Sequence, residues 1–185
     1  MNTAVYSGSF NPLHIGHLAI LRRLTALYDK VMIVVSPVNP LKESATAADS
    51  ERRLDAAREA LGRHTELLPK TEVSDIEFHL PVPNYTVDTL DALKKAQPQD
   101  SFTLVVGGDQ IADFRRWKDY RRILTEYGVA AFPREGFDSE AIRKDLLEEN
   151  PSYEVTLIDM PLVKVSSTYI RKALADGEDI SSLLM

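Results

Sequence analysis

Short runs of β-branched and aromatic residues alternate along the chain with longer stretches whose apolar residues recur every three or four positions, and this alternation most restricts the fold. Thr3 to Tyr6, Val31 to Val35, Phe102 to Val106, Val129 to Phe132 and Val155 to Ile158 read as buried strands. Between them, Ile15 to Tyr28, Ser50 to Leu61, Val87 to Lys95, Tyr120 to Tyr127, Ser139 to Glu149 and Tyr169 to Ala175 carry helical periodicity, with Leu18, Leu21 and Leu24 as the inner stripe of the first. Strand, helix, strand repeated in this way predicts an α/β architecture: a doubly wound, mostly parallel sheet with helices on both faces. Ligands of such sheets bind beyond the carboxyl ends of the strands. The segments to inspect are therefore Ser7 to His17, Ser36 to Asp49 and Gly107 to Trp117.

With 185 residues and 44% apolar content, the chain can bury one sizeable core, and residues 1–185 are expected to form a single domain. It has 22 basic and 28 acidic side chains, a net charge of −6, which argues against a broad surface for nucleic-acid polymers or anionic membranes. An anionic ligand would have to meet a local basic pocket. The absence of cysteine removes disulfides, thiolate metal sites and a cysteine nucleophile together. Met1 to Ser7 lacks a signal-peptide pattern and no apolar run approaches the ~20 residues that span a bilayer, so a cytoplasmic location is expected.

The first loop reads Gly8-Ser9-Phe10-Asn11-Pro12-Leu13-His14-Ile15-Gly16-His17 and opens the first helix. Gly8 permits close backbone approach, and the amides at a helix start carry the positive end of the dipole, so this turn suits phosphate oxygens. His14 and His17, three residues apart, fall on one helical face and can donate to one anion. Near the other end, Ser166, Ser167 and Thr168 are helix-capping types with hydroxyl donors, and Arg171 follows one turn later with a guanidinium fork for an anion bound there. Neither Gly-x-x-x-x-Gly-Lys-Ser/Thr nor Gly-x-Gly-x-x-Gly follows a strand, so ATPase and dinucleotide-dehydrogenase signatures are missing.

His14-Ile15-Gly16-His17 resembles the signature of the nucleotidylyltransferase superfamily, and Ser166-Ser167-Thr168-Tyr169-Ile170-Arg171 resembles its triphosphate-binding motif. Three middle segments narrow the resemblance: Pro37-Val38-Asn39-Pro40-Leu41-Lys42; Asn84-Tyr85-Thr86-Val87-Asp88-Thr89-Leu90; and Gly107-Gly108-Asp109 with Trp117 eight residues on. Together they resemble the bacterial nicotinate-nucleotide adenylyltransferases, over almost the whole chain. The resemblance implies a Rossmann-like nucleotidylyltransferase fold and transfer of AMP from ATP to nicotinate mononucleotide, giving deamido-NAD and pyrophosphate in NAD biosynthesis. It implies His14, His17 and Arg171 as catalytic residues. Gly8, Ser9, Phe10, Gly107, Asp109, Ser166, Ser167 and Thr168 would join them around ATP. Asn39, Lys42, Tyr85, Thr86, Trp117 and Arg134 would surround the pyridine mononucleotide.

Each middle residue also has a physical reading of its own. Thr86 can cap the helix it precedes, Asp109 can accept from ribose hydroxyls, and the flat face of the only tryptophan, Trp117, suits a pyridine ring. Asn11 departs from the Asp common in the family and Leu41 from a His, which bears on those loops' contacts. Magnesium is expected with the ATP phosphates, without protein ligands. The partners are the two small anionic substrates, with self-association open. Alternatives are an enzyme preferring nicotinamide mononucleotide, another substrate of the superfamily, or a non-catalytic nucleotide sensor.

Overall fold

The computed structural model describes residues 1–37 and 47–185. Six strands form one sheet: β1 (Asn2–Gly8), β2 (Lys30–Val35), β3 (Thr71–Ser74), β4 (Ser101–Gly107), β5 (Val129–Phe132) and β6 (Val155–Leu157). Every pairing is parallel, in the order β3-β2-β1-β4-β5-β6. The helices are α1 (Ile15–Leu27), α2 (Ala47–Gly62), α3 (Thr86–Ala96), α4 (Gly108–Ala112), α5 (Tyr120–Arg122), α6 (Ser139–Glu149) and α7 (Ser167–Ala175). A wider helical turn at Ile123–Tyr127 extends α5 and ends at Gly128, whose φ of 75° needs a residue without Cβ.

Successive strand residues point to opposite faces, and both faces are covered, which is why β2 is apolar along nearly its whole length. On one face Ala4, Tyr6, Ile33, Val35 and Phe132 pack with Leu21 and Leu24 of α1 and Leu54 and Leu61 of α2. On the other, Val5, Met32, Val34, Leu104 and Val106 pack with Leu90 and Leu93 of α3 and with Ile123 and Leu146. The expected doubly wound sheet is present. The chain winds one way from β1 to β3 and the other way from β4 to β6, so a crevice opens beyond the carboxyl ends of β1 and β4.

Two elements were not expected. β3 is a four-residue edge strand, Thr-Glu-Val-Ser, too short and polar to stand out in the sequence. α4 occupies part of the segment read as a loop, because the Gly107 amide at its start donates to Gln110 Oε1 at 2.9 Å. Among the described residues, no helix is long and apolar enough to cross a membrane.

Candidate active site

A cavity of about 520 Å³ lies at this crevice. From the sequence-derived set, Gly8, Ser9, Phe10, His17, Asp109 and Ser167 line it. So do Tyr85, Thr86, Trp117 and Arg134. Asn39 and Lys42 lie outside the described residues, as does Leu41. His14, Gly107, Ser166, Thr168 and Arg171 are not among its lining residues.

His14 is the N-cap of α1 in extended conformation, and its Nδ1 accepts from the Gly16 amide at 3.1 Å. The His17 Nδ1 in turn accepts from the His14 amide at 3.2 Å, and the two rings stack with centroids 3.8 Å apart. Two amides that the sequence suggested for phosphate are thus satisfied by imidazoles. The consequence for the rings is chemical: with Nδ1 accepting, the proton of each neutral imidazole sits on Nε2, so each offers one donor away from the helix. Gly16 makes this arrangement possible, since a Cβ there would lie 2.6 Å from Val163 Cγ1 and 2.9 Å from the His14 ring.

Phe10 fixes the other side of His17. Its φ is 43°, an uncommon conformation for a bulky residue, and it is held by edge-on contacts to Tyr6 and His17, each with centroids 5.3 Å apart. A Cβ on Gly8 would meet the Phe10 ring at 3.3 Å, so glycine lets that ring lie close over the end of β1.

The far end of the chain reaches the same place. Ser166 caps α7 by accepting from the Tyr169 amide at 3.2 Å, as its residue type predicts. Ser167 Oγ donates to Pro12 O at 3.3 Å. Arg171 donates from Nη1 to Asn11 O at 2.8 Å and from Nη2 to Thr168 Oγ1 at 3.2 Å, leaving the rest of its fork for an anion.

Across the cavity, Tyr85 is the N-cap of α3 and makes no side-chain capping bond, so Thr86 is the first helical residue rather than the expected cap. Trp117 is half-buried with its ring against the fully buried Phe114, centroids 4.8 Å apart. Arg134 lies over the Phe132 ring at 5.1 Å and faces Asp109 across 3.6 Å.

Charge in the cavity is set by burial and by Arg134. Burial lowers the His14 pKa to about 4, with a further lowering from Arg134. Burial likewise pushes His17 well below its ordinary value, reinforced by His14 and Arg134. Both rings are therefore neutral at pH 7. The unfolded chain, with ordinary histidines near 6.5, binds more protons than the fold between pH 6.5 and about 4. Stability is then complete above about pH 6.5 and falls as pH drops toward 4. Urea unfolding at pH 7, 6 and 5 should show this decline, and His17→Phe should flatten it; equal slopes in the two proteins would remove His17 as its source.

Two residues absent from the sequence reading tie the walls together. Arg53 on α2 donates from Nη1 to Ser9 O at 2.7 Å and Ser36 O at 2.8 Å, and from Nη2 to Pro37 O at 2.7 Å. Glu77, in a short 3-10 turn after β3, is 5% exposed and accepts at Oε1 from Thr89 Oγ1 at 3.0 Å and Ser7 Oγ at 3.3 Å. In sequence Arg53 looks like a solvated helix residue, and nothing in the pattern around Glu77 marks it.

Comparison with known proteins fits this geometry. The cytidylyltransferase-like family profile matches residues 5–173. A Bacteroides fragilis protein named "Probable nicotinate-nucleotide adenylyltransferase" is 41% identical over 98% of this chain and 86% of its own length. The chain belongs to the nicotinate-nucleotide adenylyltransferase family. Another member, from Flavobacterium johnsoniae, is 37% identical over 100% of this chain and 92% of its own length. Among solved structures, a Plasmodium falciparum nicotinic acid mononucleotide adenylyltransferase complexed with NaAD superposes with a TM-score of 0.81. It is 24% identical, covering 97% of this chain and 87% of that one, and carries the same fold. Membership makes the chain a nucleotidyltransferase.

Proposed function

We propose that this site transfers the adenylyl group of ATP to nicotinate mononucleotide, giving deamido-NAD and pyrophosphate. The observation that carries the reading is one cavity lined at once by His17, Ser167 and Trp117, residues from three distant parts of the chain. Relatives that share the family name, and the neighbour complexed with NaAD, support the same substrates.

The reaction needs no covalent enzyme intermediate. The mononucleotide phosphate attacks the α-phosphorus of ATP in line, a new P–O bond forms, and the bond to the pyrophosphate oxygen breaks. The obstacle is bringing two polyanions together and stabilising charge on the α-phosphoryl oxygens, which calls for positioning and electrostatics. In this reading the Nε2–H donor of His17 meets the α-phosphate from a buried, preorganised ring. His14 holds that ring, and Ser167, Thr168 and Arg171 receive the β and γ phosphates. Asp109 accepts from ribose, with Arg134 released from it toward the mononucleotide. The start of α3 at Tyr85 and Thr86 receives the nicotinate carboxylate, and Trp117 stacks on the pyridine. Asn39 and Lys42 belong to the mononucleotide side of this proposal. Magnesium would travel with the ATP phosphates, where it would lessen repulsion between the two substrates.

Incubation with ATP, magnesium and either the acid or the amide mononucleotide, followed by chromatography, tests the function. Deamido-NAD should accumulate faster than NAD, with one pyrophosphate per dinucleotide. No dinucleotide from either substrate would leave a nucleotide sensor as the reading, and faster product from the amide would reverse the substrate. For Trp117→Ala, the KM for nicotinate mononucleotide should rise about tenfold, as loss of an aromatic stacking partner worth ~0.5–1.5 kcal/mol plus buried area implies. A rise in the KM for ATP instead would move the tryptophan to the other substrate.

A further inference from the structure

Glu77 is a buried carboxylic acid of the cavity that adenylyl transfer leaves without a task. It is 5% exposed and lines the same cavity as Tyr85, Thr86 and Trp117. The two hydrogen bonds to its carboxylate among the described residues both converge on Oε1, from Ser7 near the end of β1 and from Thr89 in α3. Among the described residues, Oε2 has no hydrogen-bond partner and no cation pairs with this carboxylate.

The other charges around the cavity are already balanced or exposed. Asp109 faces Arg134 at 3.6 Å, and Lys118 holds Asp88 at 3.0 Å. A buried carboxylate without a counterion costs folding free energy, and a cavity for two polyanionic substrates is an unfavourable place for one. Hydrogen bonding alone does not call for it, since an amide oxygen at the same position would accept from Ser7 and Thr89 equally well. What the charge suits is a cation brought by the ligand.

Nicotinate mononucleotide brings one. Its ring nitrogen is bonded to ribose and is therefore a quaternary pyridinium, positive at every pH. Resting on the function proposed above, we infer that Glu77 is a specificity-determining residue whose carboxylate serves as counter-charge to the pyridinium ring seated between Tyr85 and Trp117. The pocket then selects a cationic heteroaromatic ring as such, by charge as well as by shape, and discriminates against neutral aromatic ribotides of the same outline.

The test compares nicotinate mononucleotide with an isostere whose ring is neutral, the 3-carboxyphenyl C-riboside 5′-phosphate, in the full-length protein. Wild type should bind the pyridinium compound at least about tenfold more tightly, as expected for one compensated charge at a partly shielded site. In Glu77→Gln, which keeps the acceptor for Ser7 and Thr89, that preference should vanish through a rise in KM for the pyridinium substrate. The KM for ATP and the affinity for the isostere should stay within about twofold. Equal weakening of both mononucleotides would reduce Glu77 to a wall brace and overturn the inference, as would an unchanged preference. Should Glu77→Gln not fold, as judged by its melting transition, Glu77→Asp retains the charge: a preserved preference supports the inference and a lost one overturns it. Wild-type turnover of nicotinate mononucleotide is the separating control, because its absence overturns the proposed function, whereas turnover with an insensitive Glu77 overturns only the counter-charge.

Discussion

His17→Ala should lower turnover by roughly a hundred- to thousandfold, the effect typical of removing one preorganised donor, while ATP still binds within about tenfold. The asymmetry follows from the geometry. His17 is 8% exposed, its Nδ1 is committed to the His14 amide at 3.2 Å, and Phe10 packs edge-on against its ring. Its remaining donor is held in place before substrate arrives, so the gain falls on charge that develops during the reaction. In the proposed function triphosphate binding falls also to Ser167, Thr168 and Arg171, which the substitution leaves alone. Alanine also strands the buried His14 amide, at a cost of about 1–3 kcal/mol, so the variant should melt lower as well. Comparing kcat at saturating ATP with the ATP dissociation constant separates the two effects. Near-normal turnover would take His17 out of the reaction.

Gly16→Ala is the second large effect, and here two principles oppose one another. Helix propensity favours alanine over glycine by about 1 kcal/mol. Packing opposes it: the new methyl would sit 2.6 Å from Val163 Cγ1 and 2.9 Å from both Cε1 and Nδ1 of His14. The His14 ring cannot yield without losing its bond to the Gly16 amide and its stacking on His17, so overpacking at about 1–3 kcal/mol should win. The expected variant is less stable by urea unfolding and has a kcat reduced at least tenfold by the displaced imidazole pair. A more stable variant with unchanged kcat would mean that Val163 and His14 move aside freely.

The contrast between these two positions shows how much the sequence disclosed. His14, His17 and the Ser166 to Arg171 segment stood out because they combine anion-binding residue types with helix-start positions. The limits of α6, Ser139 to Glu149, were legible from periodicity alone, and its cap, Asp138, accepts from the Ala141 amide at 3.0 Å. His14 as a cap was hidden, since imidazole is not among the usual capping groups, and so was the use of both Nδ1 atoms. β3 escaped because an edge strand of four residues with one buried position leaves no alternation to read. Arg53 and Glu77 act through contacts made only after the sheet has formed: Arg53 grips Ser9 from 44 positions away, and Glu77 accepts from Ser7 70 positions away. Such roles have no local signature.

The strand order also bears on how the molecule comes into being. β1, whose end carries the Gly8 loop, lies at the centre of the sheet and pairs with β4 in a register that sets Thr3 beside Phe102. The strands on either side of the crevice are thus joined only after a loop of about a hundred residues closes, the kind of long-range contact that makes parallel sheets slow to fold. Nucleotide binding should consequently return late in refolding, in step with the global transition. Until β4 has been synthesised, a nascent chain has only one wall of the crevice, and ATP can act as a folding ligand only for the finished sheet.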